Sequence, residues 1–180
     1  FRITGKKLAD DIKIVINEPM QKITGDISCH FDTIPISVKP WDIKQIQDFL
    51  LNAKRNPTDG VARRNARWAE WMIENYEEIS STNSFMPVYV QTINIGKWKL
   101  IGLSREATSE FSIAIRNLWP NQNVSVVAYT NDVPSYLPTD PHIIAKDYEG
   151  YDSFFWNCQP APFPIKTFDT IIKNIKNNNR

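Results

Sequence analysis

The spacing of apolar residues along this chain switches between a helical and an extended period, and the switches mark its elements. Leu8, Ile12, Val15 and Ile16 recur on one helical face, with Thr4 placed as a cap, so the chain opens with a helix ending near Pro19. Ile27 to Val38 is an extended run interrupted by Pro35, which suits an edge strand or a bulge. Trp41 to Leu51 reads as a short helix burying Ile43, Ile46, Phe49 and Leu50, and Asn56-Pro57 to Gly60 as a turn. A longer helix from about Val61 to Ile79 carries Trp68, Trp71, Met72 and Tyr76 as its stripe. Met86–Ile93 and Lys97–Leu103 are strands joined at Asn94-Ile95-Gly96 as a tight hairpin.

The second half continues with helix-period residues Phe111, Ala114, Ile115 and Leu118, then the strand-like run Val124 to Tyr129. Tyr129 to Ile165 is proline-rich without a helical period, which predicts a long ordered loop of the kind that usually carries function. Lys166 to Lys176 is a closing helix bearing Phe168, Ile171, Ile172 and Ile175, followed by an Asn-rich polar tail. With no internal repeat and no linker, the expectation is one α/β domain over residues 1–180, a mixed sheet flanked by helices.

Charge removes some function classes. A net charge of +1 from 21 basic and 20 acidic residues gives no clustered basic face for nucleic acid. Arg63, Arg64 and Arg67 are balanced by Glu70, Glu74, Glu77 and Glu78 on the same expected helix, as on a solvated charged face. Cys29 and Cys158 lie far apart and are expected to be free, part-buried thiols. No apolar run is long enough to cross a bilayer. The chain begins at Phe1 with neither methionine nor a targeting segment, which reads as an excised or proteolytic piece of a longer product.

The candidate chemistry follows two of the strand-like runs. Trp98–Leu103 leads into Ser104-Arg105-Glu106 and then a helix, which puts Glu106 in the first turn of that helix at the carboxyl end of a strand. Open α/β sheets bind ligands at that edge. The run ending near Asn131 feeds a loop that delivers Tyr136 and, twelve residues on, Tyr148 to the same edge if the two strands are neighbours. Taken alone, Glu106 is an anion favoured by the helix dipole by about 0.3 to 1 kcal/mol, and Tyr136 an ordinary loop anchor. His30, in an apolar run, reads as structural; His142 lies between the two tyrosines and could line the pocket, but the pair lacks the spacing of a zinc motif and receives no ligand role. Trp68, Trp71, Trp119 and Trp156 read as core, although Phe154-Phe155-Trp156 could border a lipid-sized groove.

Three segments together resemble a family. Ile101-Gly-Leu-Ser-Arg-Glu-Ala-Thr-Ser-Glu-Phe111, Val126-Val-Ala-Tyr-Thr-Asn-Asp-Val-Pro-Ser-Tyr-Leu-Pro-Thr139 and Tyr148-Glu-Gly150 are similar to the second half of the catalytic domain of neutral/alkaline non-lysosomal ceramidases, nearest the bacterial ceramidase-like branch. The resemblance spans about residues 95–165. It implies that Glu106, in place of the glutamate of a Pro-Gly-Glu turn, and Tyr136, five residues after Asn131, are zinc ligands. It implies further that Tyr148 contacts the scissile amide, with Asn131 and Glu149 among the substrate-binding residues. Ser104-Arg105 departs from the family's Pro-Gly, which changes the turn and is expected to set a cation beside Glu106.

The resemblance also implies that two zinc-binding histidines and a substrate-contacting segment lie upstream of this region, in sequence this chain does not contain. The expected parent is then a zinc-dependent hydrolase of N-acylsphingosine or a related lipid amide. In it, this chain is a fragment of a larger α/β catalytic domain that partners the N-terminal half, retains no zinc alone and is inactive alone. Family membership implies export and possible contact with a membrane surface. The alternative is a ceramidase-like module that binds a lipid or glycan without cleaving it.

Overall fold

In the computed structural model, which describes residues 1–81 and 84–178, the extended stretches form β1 (Ile27–Ser37), β2 (Phe85–Ile95), β3 (Trp98–Leu103), β4 (Glu106–Ala107), β5 (Asn123–Val127) and β6 (Tyr136–Leu137). Four of them make a mixed sheet in the order β1-β2-β3-β5, antiparallel except for the β3/β5 pair. The two strands that carry the candidate residues are therefore parallel neighbours, joined by a helix over Ser109–Asn117 that runs between them. β4 and β6 form a separate two-stranded parallel ladder beyond the carboxyl ends of β3 and β5.

The helices are α1 (Arg2–Asn17), α2 (Ile43–Ala53), α3 (Gly60–Glu74), α4 (Tyr76–Ser81), α5 (Ser109–Asn117), α6 (Asp140–Ala145), α7 (Ser153–Trp156) and α8 (Thr167–Asn178). β1 is an edge strand, and Pro35 lies opposite Pro87, so neither missing amide interrupts a central ladder. Gly96 opens the two-residue β2/β3 connection with φ 55°, and a Cβ there would lie 2.0 Å from the Thr24 carbonyl oxygen.

Burial separates two cores. Ile34, Ile36, Met86, Val88, Val90, Ile101 and Leu103 of the sheet pack against Phe111 and Ile115 of α5 and Ile171 and Ile175 of α8. Ile46, Trp68, Met72, Phe154 and Phe155 form a second, aromatic core with Trp41 and Phe49, in which Trp68 meets Trp41 edge-on at 5.1 Å and Phe155 at 5.0 Å.

Several expectations are corrected. The long helix breaks at Asn75, whose side chain bonds back to the Trp71 carbonyl at 2.8 Å, giving α3 and α4 in place of one element. The stretch from Tyr129 to Ile165 is not a structureless loop: it holds β6, α6 started by Pro141, a π-turn over Tyr148–Asp152, and α7. These elements are too short to show a period. Arg64 is not on a solvated face; it is 4% exposed, grips Asp152 through two nitrogens at 2.6 and 2.9 Å and lies over Phe155. Phe154 and Phe155 are buried, Phe154 lining a crevice of only about 10 Å³, far too small for a lipid, while Trp156 is exposed. Both cysteines are free, but Cys29 is exposed. The last two residues of the polar tail lie outside the described residues.

Candidate active site

Glu106 is held by a turn built around a buried cation. At the end of β3, Ser104 exchanges bonds with Tyr89, its Oγ accepting from the Tyr89 amide at 2.8 Å and its amide donating to the Tyr89 carbonyl at 2.9 Å. Arg105 then takes φ 68°, the left-handed region that favours glycine and costs other residues roughly 1–2 kcal/mol. Its side chain runs into the interior, 1% exposed. There it donates to the Pro87 carbonyl at 3.0 and 3.2 Å, to Ser135 Oγ and to Gln159 Oε1 at 3.3 Å, beneath the Phe163 ring. The expected cation beside Glu106 is thus turned away from it. Burial pushes Arg105 down to about 10, against the pull of Asp132 and Tyr89, so the guanidinium stays charged at neutral pH.

This clamp ties the strand-end turn to the loop after β5. The Arg105 amide donates to Asp132, the Tyr129 amide to Arg105, and the Glu106 amide to Ser135, at 2.7, 3.0 and 3.0 Å. Glu106 and Tyr136 come out directly opposite each other in the β4/β6 ladder. Glu106 is therefore a strand residue; α5 begins three residues later, and Glu110 is the first-turn acid, its carboxyl held below the usual range chiefly by hydrogen bonding from its own backbone amide.

Two phenols converge on the carboxylate. Hydrogen bonding to Glu106, with burial and the carboxylate's charge, pushes Tyr136 up to about 12 and raises Tyr129 as well. The Tyr148 ring stands edge-on to Tyr136, centroids 5.7 Å apart. Glu106, Glu110, Tyr129, Tyr136, His142 and Glu149 line one open cavity of about 370 Å³. A larger hollow of about 500 Å³, beside Trp41 and Tyr76, holds no such convergence, because its carboxylate, Asp42, is engaged in capping α2.

A second acid–base group faces the first. His142 Nδ1 lies 2.6 Å from Asp147 Oδ2, while Asp147 Oδ1 accepts from the Gly150 amide at 2.9 Å. That bond, with the charges of Asp147, Glu110 and Glu149, raises the His142 pKa against the opposing effect of burial. Burial pushes the Asp147 carboxyl up, but bonds from His142 and the Gly150 amide outweigh it and leave it below its ordinary value. Gly150 packs against the α6 backbone so closely that a Cβ would lie 2.1 Å from the His142 carbonyl oxygen. Only glycine fits the turn that carries Tyr148 and Glu149.

The structure therefore brings Glu106, Tyr136, Tyr148 and Glu149 together. Tyr148 joins the group through its contact with Tyr136 and not through the cavity lining, and Asn131 is in neither, at φ 65° with its amide 3.4 Å from Gln91. The sequence reading missed Tyr129 and Glu110 and gave the His142–Asp147 pair no role. A tyrosine at a strand end and an aspartate five residues after a histidine form no recognisable motif; only the fold joins them. Glu106 and Tyr136, opposite each other in the ladder, offer a cation two hard oxygen donors, a set suited to zinc when nitrogen ligands complete it. A second group, His142, Asp147 and Glu149, places one donor atom each within 4.8 Å of the others, and His142 Nδ1 and Asp147 Oδ2 are bonded to each other at 2.6 Å. The chain matches no family model, no curated protein and no solved structure.

Proposed function

We propose that this chain is the C-terminal part of the catalytic domain of a zinc-dependent amide hydrolase similar to the neutral ceramidases, acting on N-acylsphingosine or a related N-acyl lipid. The observation that carries the reading is the Glu106–Tyr136 pair: a carboxylate and a phenol set opposite each other on one ladder, with Tyr148 packed on the phenol and an open cavity beside them. In the intact protein, Glu106 and Tyr136 would hold zinc with two histidines from the upstream half; the chain alone supplies too few donors to retain it. Bound zinc supplies polarisation of the amide carbonyl and acidification of a water.

The chain's own residues do the rest. Tyr129 lines the cavity beside Glu106, and hydrogen bonding to that carboxylate raises its pKa. Tyr148, half exposed and packed edge-on against Tyr136, donates its hydroxyl to the carbonyl oxygen of the substrate or to the departing nitrogen. Glu149 lines the same cavity and is the substrate-binding residue of the set. Ser104-Arg105 does not weaken the reading, because Arg105 keeps the glycine-type backbone and directs its charge inward. The parent is proposed to be an exported protein whose N-terminal half covers part of this surface. Membrane contact, if made, would involve the exposed Trp156 rather than its buried neighbours.

The test is release of fatty acid from N-acylsphingosine by the complete polypeptide that contains this chain. Glu106→Ala is expected to abolish release, and Tyr148→Phe to slow it by about 10²-fold. Full activity in Glu106→Ala would sink the assignment, and a polypeptide that binds the lipid without cleaving it would establish the non-catalytic module.

A further inference from the structure

We propose that His142, oriented by Asp147, is the proton-transfer residue of this cavity. The inference rests on the amide-hydrolase reading and extends it to a residue pair outside the Glu106–Tyr136 ladder. Asp147 is ionised in the neutral range, so its Oδ2 can only accept, and at 2.6 Å it fixes the proton of a neutral His142 on Nδ1. Nε2 is then left as a lone-pair acceptor. It lies 3.9 Å from Glu110 Oε1, too far for a direct hydrogen bond, on the wall of the cavity that Glu106 and Tyr136 also line.

The support behind the imidazole is rigid on three sides. Asp147 Oδ1 is engaged by the Gly150 amide, Gly150 lies flush on the His142 backbone, and Lys146 closes α6 in a left-handed conformation that turns the chain back toward the ring. One carboxylate thus fixes both the tautomer of His142 and the turn that presents Tyr148 and Glu149. An imidazole bonded through Nδ1 to a carboxylate and open at Nε2 is the arrangement general acid–base catalysis requires. Besides Asp147, the carboxylates acting on the ring are Glu110 from α5 and Glu149 from the π-turn, and the cavity wall it shares carries Glu106 and the phenols of Tyr129 and Tyr136. The imidazolium formed in the reaction therefore meets anions.

In the step, the oxygen of water bonds to the acyl carbon while one of its protons passes to His142 Nε2. The carbon–nitrogen bond then breaks as that proton passes from Nε2 to the departing nitrogen, giving the free acid and the free amine with His142 returned to its starting form. Tyr148 is left to serve the carbonyl oxygen. Asp147 touches no substrate atom and acts as a positioning residue.

The decisive comparison is the pH–rate profile of N-acylsphingosine hydrolysis by the complete polypeptide, its His142→Gln variant and its Asp147→Asn variant, with zinc content measured on the same samples. His142→Gln is expected to lower kcat by about 10²-fold or more at neutral pH with KM and zinc unchanged, and to erase the acid limb of the profile. Asp147→Asn is expected to move that limb to lower pH. A His142→Gln variant with the parent's rate and limb overturns the proton-transfer role and leaves the hydrolase reading standing, as does loss of zinc with His142. A parent inert toward amides removes the hydrolase reading and this step with it. Nitrogen-detected NMR of the 180-residue chain, whose two histidines are told apart by a His30→Gln variant, checks the dyad independently of turnover. An Nδ1–H tautomer that Asp147→Asn redistributes is expected, and an Nε2–H tautomer overturns the dyad.

Discussion

Arg105 and Glu106 are consecutive residues in opposite environments. Arg105 is sealed in the interior, with its guanidinium bonded to three different segments of chain. Glu106 lies beside an open cavity, where it receives two phenols. The difference separates what holds the site from what the site does. The interior side joins β2, the loop after β5 and the segment after α7, so that Glu106 and Tyr136 meet in register; the open side carries groups whose bonds are individually modest and chemically adjustable.

The sharpest way to break that comparison is to remove the clamp. Arg105→Gly relieves the left-handed backbone but strands the Pro87 carbonyl and Ser135 in the interior, and is expected to lower stability by about 3 kcal/mol in a urea titration. A loss below about 1 kcal/mol would show that the interior side carries no special weight. Gly150→Ala is expected to follow at about 2 kcal/mol, since the added methyl group meets backbone that cannot move aside as a side chain would.

Tyr136→Phe sharpens the contrast from the open side. It is expected to change stability at neutral pH by less than about 1 kcal/mol. The pH dependence carries the sign. A phenol pushed up to about 12 stabilises the fold fully below its ordinary pKa of 10, and that contribution is lost as pH rises through 12. The phenylalanine variant should lack this alkaline loss in a thermal melt, whereas an identical alkaline profile would contradict the Glu106 bond.

The smallest effect belongs to the dyad. Asp147, held below 3.8, stabilises the fold above that value and loses the contribution as pH falls through its lowered pKa. His142, held above 6.5, stabilises below that value and loses the contribution as pH rises through its raised pKa. The pair therefore favours the fold most between those limits. Asp147→Asn should flatten both limbs by less than about 1 kcal/mol, because both side chains are partly solvated. Unchanged limbs would mean that the bond contributes nothing to folding.

Sequence alone revealed the pieces whose partners are near in the chain or repeat with a period. The alternation in β2, the edge position of β1 signalled by Pro35, and the helical stripes of α2, α3 and α8 were legible for that reason. The amphipathic spacing of α1 was equally legible, yet none of its residues is buried, whereas α8 with a similar stripe buries Ile171 and Ile175 against the sheet. Periodicity identifies a helix and says nothing of what covers it. Arg64 and Arg105 were unreadable because a buried arginine needs acceptors that are distant in sequence: Asp152 for the first, Pro87 and Ser135 for the second. At the cavity, the strand-end placement of Glu106 and the loop carrying Tyr136 and Tyr148 could be anticipated from spacing. The Tyr129 bond and the His142–Asp147 pair depend on a left-handed residue and a π-turn that no local pattern announces.

The central claim, that Glu106 and Tyr136 are the metal-facing half of a hydrolytic site, is tested most directly by elemental analysis of the complete polypeptide beside its Glu106→Ala and Tyr136→Phe variants. About one zinc per chain is expected in the parent, none in Glu106→Ala and a reduced content in Tyr136→Phe. A metal-free parent, or a Glu106→Ala variant that keeps its zinc, would contradict it.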